Sequence, residues 1–374
     1  MGWRFAAGLT VLASLGVTAA SASVPPPPVP PSGSVLVSWS AETVNCDDGV
    51  QPVFLLAPDP VPTIGYGLAD RVATLTATFR IDADGRPLGV TQQPADYVSD
   101  AGDLLPALVA ARFAGGRPHV RCSVRFVAVR QPAASAAPEL AMRYTIFPTG
   151  VRPRDVWERT RPPGSTCFEP APAPLLRAYP DFKAMAGEPG RRFWSMVGFD
   201  LDAGGRPVRP HVVAGSGLKP LDTASIKAVA VSRFEKGSRA GCLYPYYRNA
   251  VTLPAPPAPE EDSLRPAGAT CPRGLAFATP PRLTFPDAYR RRSIEGWAVL
   301  AYDVAPWGEI GNFRVLAAEP AAEFGEWGKR VLAGARKAPG STGYVGCTDR
   351  VRFRVGPQAK VLTGDPVPEG DIDG

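Results

Sequence analysis

Six cysteines fall into three intervals of nearly constant length: Cys46 to Cys122, Cys167 to Cys242 and Cys271 to Cys347 are 76, 75 and 76 residues apart. A glycine stands at a matching place inside each interval, Gly85, Gly205 and Gly308, and the sequence around it recurs. Residues 79–90 read FRIDADGRPLGV and residues 199–210 read FDLDAGGRPVRP, with six identities and no gap. Residues 302–313, YDVAPWGEIGNF, keep an aromatic residue ahead of the glycine at the same offset as the other two. A repeat with a fixed period decides architecture before any local reading does. The expected fold is therefore α+β, three tandem small modules, each closed by one disulfide. Six cysteines allow many pairings, but the period selects Cys46–Cys122, Cys167–Cys242 and Cys271–Cys347. Each bridge would tie an N-terminal arm to the start of the module's last strand, worth roughly 4 kcal/mol at most in the chain-entropy account.

Local patterns fill in the module. An alternating strand enters the hairpin, as in Leu75, Ala77, Phe79 and Ile81, and a D-G or G-G pair supplies the positive φ of a tight turn before a second strand leaves. A helical stretch follows. Residues 221–234 place Leu221, Ile226, Val229, Ala230 and Phe234 broadly on one face with Asp222 near the start; Phe324, Trp327, Val331 and Leu332 repeat the spacing, as do Leu104, Leu105, Leu108, Val109 and Phe113. After a glycine-containing turn comes the second cysteine and a closing strand. In residues 347–355, CTDRVRFRV, one side carries Arg350, Arg352 and Arg354 and the other Val351, Phe353 and Val355. One face is expected to be wet and one buried.

Composition bounds the setting. Forty-four prolines and 38 glycines among 374 residues favour short elements and long connections over an all-helical fold. Arg4, an apolar run over residues 5–20 and Ala20-Ser21-Ala22 read as an export signal cleaved after Ala22. The run is short of the roughly 20 residues a membrane-spanning helix needs; an uncleaved anchor is the alternative. An even cysteine count with no C-x-x-C fits disulfides in an oxidising compartment rather than zinc or redox chemistry. The net charge of +6 is spread among 35 acidic residues, a solvated surface rather than a nucleic-acid footprint. The organisation expected is a signal peptide at 1–22, a Pro-rich linker at 23–34, a diverged first copy at 35–130, a linker at 131–160, a second copy at 161–253, a Pro-rich linker at 254–265, a third copy at 266–357 and a tail at 358–374. Proline-rich joints are extended and stiff, so the copies are expected to behave as beads with limited mutual burial.

The residues resemble the TonB C-terminal domain family, the periplasmic module of an energy-transducing protein that contacts outer-membrane transporters. The second copy carries the likeness best, in AYPDF at 178–182, FDLDAGGRPV at 199–208 and VVAGSGLKPLDTASIKAV at 212–229; the third adds TFPDAYRRRSIEGWAVLAYDV at 284–304 and RVLAAEPAAEF at 314–324, while the first keeps the hairpin and the cysteine but no YP. The resemblance implies a three-stranded antiparallel sheet with helices on one face, whose last strand lends its free edge to an extended partner peptide. The matching edges would be Arg350 to Val355 and Arg125 to Val129, with Pro245 removing a donor from that of the second copy. Partner binding is thus expected at Arg350, Arg352, Arg354, Val351 and Phe353, although charged edge strands also serve simply to prevent aggregation. Tyr244, Tyr246 and Tyr247 form a second contact patch or cover the core of their own copy.

Nothing in the sequence assembles a catalytic or metal site. The two histidines, His119 and His211, occupy different places in their copies. Asp82-Ala83-Asp84 and Asp200-Leu201-Asp202 lack the downstream acidic ligand of a calcium loop, and Gly215-Ser216-Gly217 is neither a nucleophile elbow nor a phosphate loop. The function expected is a non-catalytic periplasmic protein, without cofactor, that binds extended segments of cell-envelope proteins. The alternative is an inner-membrane-anchored transducer using the same fold to drive outer-membrane transport.

Overall fold

Why residues 79–90 and their two counterparts turn back on themselves is visible at the glycine. Gly85, Gly205 and Gly308 adopt φ of 75°, 75° and 89°, which only a residue without a Cβ takes freely. A Cβ on any of them would also lie 2.2 Å from a backbone carbonyl, that of Phe113, Phe234 or Lys337. Asp82 and Asp202 brace the first two turns, each Oδ1 accepting from two backbone N–H groups, at Asp84 and Arg86 and at Gly204 and Arg206.

The computed structural model describes residues 33–65, 73–93, 100–150, 153–168 and 170–356, which belong to one unit. The expected signal peptide, nearly all of the first linker and the tail lie outside the described residues. In chain order the main elements are β1 (Val35–Ala41), β2 (Thr74–Ile81), β3 (Pro87–Gln93), α1 (Leu104–Val109), β4 (His119–Pro132), α2 (Pro138–Ile146), α3 (Arg154–Arg159), β5 (Phe193–Leu201), β6 (Pro207–Gly215), α4 (Lys219–Val231), β7 (Arg239–Arg248), α5 (Asp287–Arg291), β8 (Gly296–Val304), β9 (Ile310–Glu319), α6 (Glu323–Ala333) and β10 (Tyr344–Phe353). The fold is mixed α/β, mostly sheet. Two antiparallel sheets have three strands, in the orders β6-β5-β7 and β9-β8-β10, with α4 against β5 and β6 and α6 against β8 and β9. Disulfides join Cys46 to Cys122, Cys167 to Cys242 and Cys271 to Cys347. Among the described residues no helix is long and apolar enough to cross a membrane.

Three features depart from the sequence reading. The sheet around the first hairpin has six strands, not three. The β2–β3 hairpin pairs with β4 as its counterparts do, but β1 is added on β4's far side, with Thr63–Gly65 beyond it and Asn45–Cys46 also on β4. The added strand buries Val35 and Val37 in the core, and β4, at 14 residues, is long enough to receive it.

The described part of the linker expected at 131–160 is not an extended joint. It folds into α2 and α3, where Ala141, Tyr144 and Val156 pack on Leu36 of β1. Met142 and Phe147 reach the other way, to Val61, Trp194 and Met196.

Nor are the first and third sheets separate beads. One apolar cluster runs from Phe79, Leu104 and Phe126 to Tyr289, Leu300 and Phe324. The Val90 N–H donates to Pro320 O and the Ala322 N–H to Val90 O, locking β3 beside the end of β9. The linker at 254–265 is docked along the third sheet: Trp297 Nε1 donates to Pro256 O at 2.8 Å, and Arg86 reaches Pro254 O. At the junction Arg292, 3 % exposed, donates from Nε and Nη2 to Asp103 at 2.8 and 2.5 Å, and it also caps Gly190 O and Asp59 O. One carboxylate and two carbonyls, from three separate segments, accept four hydrogen bonds from one buried guanidinium, so none of them is left as a buried orphan.

Candidate functional site

Among the described residues strand β10 pairs with β8 alone, and on its other side Val345, near its start, exchanges hydrogen bonds with Thr270 of the preceding arm. Beside it lies a cleft of about 450 Å³ whose lining includes the consecutive residues Cys347, Thr348, Asp349 and Arg350. Successive side chains of a strand point to opposite faces, so a run of consecutive lining residues places the cleft along the strand's unpaired edge. The opposite walls are the stretch 260–265, which contains a short 3-10 turn at Glu261–Leu264, and the arm 271–275.

The walls are charged and mostly paired within the chain. Arg350, 7 % exposed, donates from Nη2 to Pro259 O and places Nε 3.5 Å from Glu261 Oε1. Arg273 meets Asp262 at 3.1 Å. Lys337 is held by Leu275 O at 2.8 Å and Asp349 Oδ2 at 2.9 Å, with its Nζ 3.5 Å above the Phe277 ring. Burial draws the Lys337 ammonium below the usual lysine range against the opposing pull of Asp349. The Tyr302 hydroxyl donates to the same carboxylate and is pushed far up, by burial first and then by the Asp349 charge. Tyr302 and the doubly held Lys337 form the floor of the cleft.

The five residues expected to bind a partner therefore divide. Val351 and Phe353 are fully buried, Phe353 packing against Phe324 and Phe285, so their side chains belong to the core and only their backbone is at the edge. Arg350 is turned inward by Glu261 rather than forming part of an open stripe. Arg352 is half-buried and Arg354 exposed. Burial, with Arg350 and Arg354 beside it, lowers Arg352 from the usual arginine range, while Glu261 and Glu260 oppose the change. The acidic run at 260–262 was the signal in the sequence that part of the basic strand is neutralised internally.

The other expected edge, Arg125 to Val129, is not open: β1 occupies it in antiparallel register, with Ser38 opposite Val129 and Ala41 opposite Phe126. Of the tyrosines, Tyr246 is buried in the second core, Tyr244 packs against that core, and Tyr247 is exposed with its ring against Phe147. His119 Nδ1 lies 2.8 Å from Asp48 Oδ2, and this contact holds the Asp48 carboxyl below the usual range. Cys46 is near both, but its sulfur is in the disulfide, so two ligands remain where a metal needs more. His211 lies exposed on β6. Ser216 closes the β5–β6 ladder, its Oγ accepting from the Trp194 N–H and donating to Trp194 O, which accounts for the Gly215-Ser216-Gly217 bend.

Compared with protein-family models and with curated proteins, the sequence matches none. The family resemblance rests on the residues alone.

Proposed function

We propose that the chain is a non-catalytic periplasmic protein of three tandem TonB C-terminal-like modules, which takes an extended segment of an envelope protein by β-strand addition along the open edge of β10. The observation that carries this reading is β1 on β4. There, a seven-residue segment already adds to the far edge of a closing strand. By the cysteine alignment, β4 corresponds to β10, whose edge faces a cleft instead of a strand. The tandem organisation is supported by the common strand order of the hairpin and closing strand, the three turn glycines at φ of 75°, 75° and 89°, and the three disulfides. Three disulfides and the A-x-A site fit an oxidising export compartment. Backbone pairing gives affinity without demanding one side-chain sequence, and Arg352 with Arg354 would favour acidic flanks on the bound segment.

The test is photo-crosslinking in cells that make the protein, with the reactive group at Arg354 and, as a control, at Val213, exposed on β6 of the second sheet. Adducts from Arg354 that map to extended segments of envelope proteins are expected. Adducts no different from those at Val213 would sink the proposal.

A further inference from the structure

Where the three sheets meet, guanidinium groups outnumber the carboxylates that hold them. Arg292 is matched by Asp103, and Arg143 by Asp59, with Arg143 Nη2 2.6 Å from Asp59 Oδ1. Arg192, which enters β5, is left over: its Nε and Nη2 are buried and have no hydrogen-bond partner among the described residues, and its guanidinium sits 4.2 Å over the Phe147 ring. Buried donors are almost always satisfied, and an unmatched buried charge is more costly still. The strain registers in the group itself. Burial brings Arg192 down to about 10, with Asp103 opposing and Arg292, Arg291 and Arg143 adding to the fall.

A small cavity lies at this spot. Its volume is about 10 Å³, and Arg143, Arg192, Arg292 and Asp59 line it together with the Phe147 and Trp194 rings. That is room for a single water or a monatomic ion. Three cations and two anions leave one positive charge facing a space of single-atom size. We infer that a monovalent halide, chloride in the cell, binds between Arg192, Arg143 and Arg292, and that it supplies the missing counter-charge at the junction. The unpaired donors are those of Arg192, and the cationic groups around the space come from α2, the residue before β5 and the residue after α5, so binding also ties these segments together.

The experiment uses the mature full-length protein. Crystals soaked in sodium bromide are expected to show an anomalous peak beside Arg192. In solution, replacing sodium gluconate by sodium chloride at constant ionic strength is expected to raise Tm saturably, as binding to the native state alone requires, and Arg192→Met is expected to abolish that rise. Absence of the bromide peak, meaning that water fills the space, would overturn the inference. So would an equal chloride response in Arg192→Met. Should Arg192→Met fail to fold, the bromide peak in the unaltered protein decides alone.

Discussion

Asp103 and Arg292 are 189 residues apart in sequence, yet both are 3 % exposed and hydrogen-bonded through two pairs of atoms. Burial pushes the Asp103 carboxyl up, but the Arg292 charge and hydrogen bonds outweigh it and hold the group below the usual carboxylate range. Removing one member of such a pair leaves an uncompensated buried charge, so Arg292→Met should lose about 3–5 kcal/mol in urea unfolding. Asp103→Leu combined with Arg292→Met should recover much of that loss. The sign of the pH effect follows from the depressed pKa: the carboxylate's contribution is complete above about pH 4 and is lost as the pH falls through the lower folded-state value. Stability measured below pH 4 should therefore fall less steeply in Asp103→Asn than in the unaltered chain. At Gly205, φ of 75° and the Phe234 carbonyl together exclude a side chain. Gly205→Ala should cost about 1–3 kcal/mol in the same assay, whereas Gly102→Ala, with open space around its Cβ, should be nearly silent.

Strand β1 shows what an edge can accept. Its alternation buries Val35 and Val37, and Leu36, on the opposite face, packs under α2 and α3. A chain beginning at residue 42 would expose the β4 edge from Phe126 to Pro132. Such an edge is a template for another strand. The truncated chain should dimerise in light scattering, and a synthetic peptide of sequence VLVSWSA should return it to the monomer. A truncated chain that stays monomeric and ignores the peptide would show that this edge cannot exchange strands, and would weaken the case for β10. At β10 the relevant contrast is between Arg350, consumed by Glu261 and Pro259, and Arg354, which is free to solvent. The alternation of CTDRVRFRV made the buried and wet faces legible. It could not show that the acidic run at 260–262 would fold back on Arg350, because nothing in a strand's period identifies a partner ninety residues away.

Across the whole molecule, packed contact replaces the separable beads that the proline-rich joints suggested: the first and third sheets share one core, and the second, with a core of its own, is joined through α2. Apolar contact is continuous between the first and third sheets, and α2 bridges the first sheet to the second. Elements that share a core unfold together. Calorimetry should therefore show the first and third sheets melting in a single transition, and proteolytic nicking in 254–265 should not release separately folded parts. Three resolved transitions would contradict the shared core. Joint loss of Cys46 and Cys122 should lower that single transition rather than melt one region alone, by up to about 4 kcal/mol in the entropic account.

Features carried by a period or a local conformational need could be read from the residues alone. The hairpins announce themselves through glycines that only a left-handed turn requires, and the disulfide partners through an interval repeated three times; the spacing located the helices but not their whole faces, since Ala230 is exposed and Phe113 and Phe234 lie in short strands past the helix ends. Where β1 docks, how Pro138–Ile146 and Arg154–Arg159 fold back as helices, and why Arg292 selects Asp103 follow only from the assembled chain. An unpaired strand edge accepts many strands, an apolar helix face packs on many surfaces, and a single charge has no repeat to mark its mate. Those choices depend on which groups the chain as a whole can bury and satisfy together.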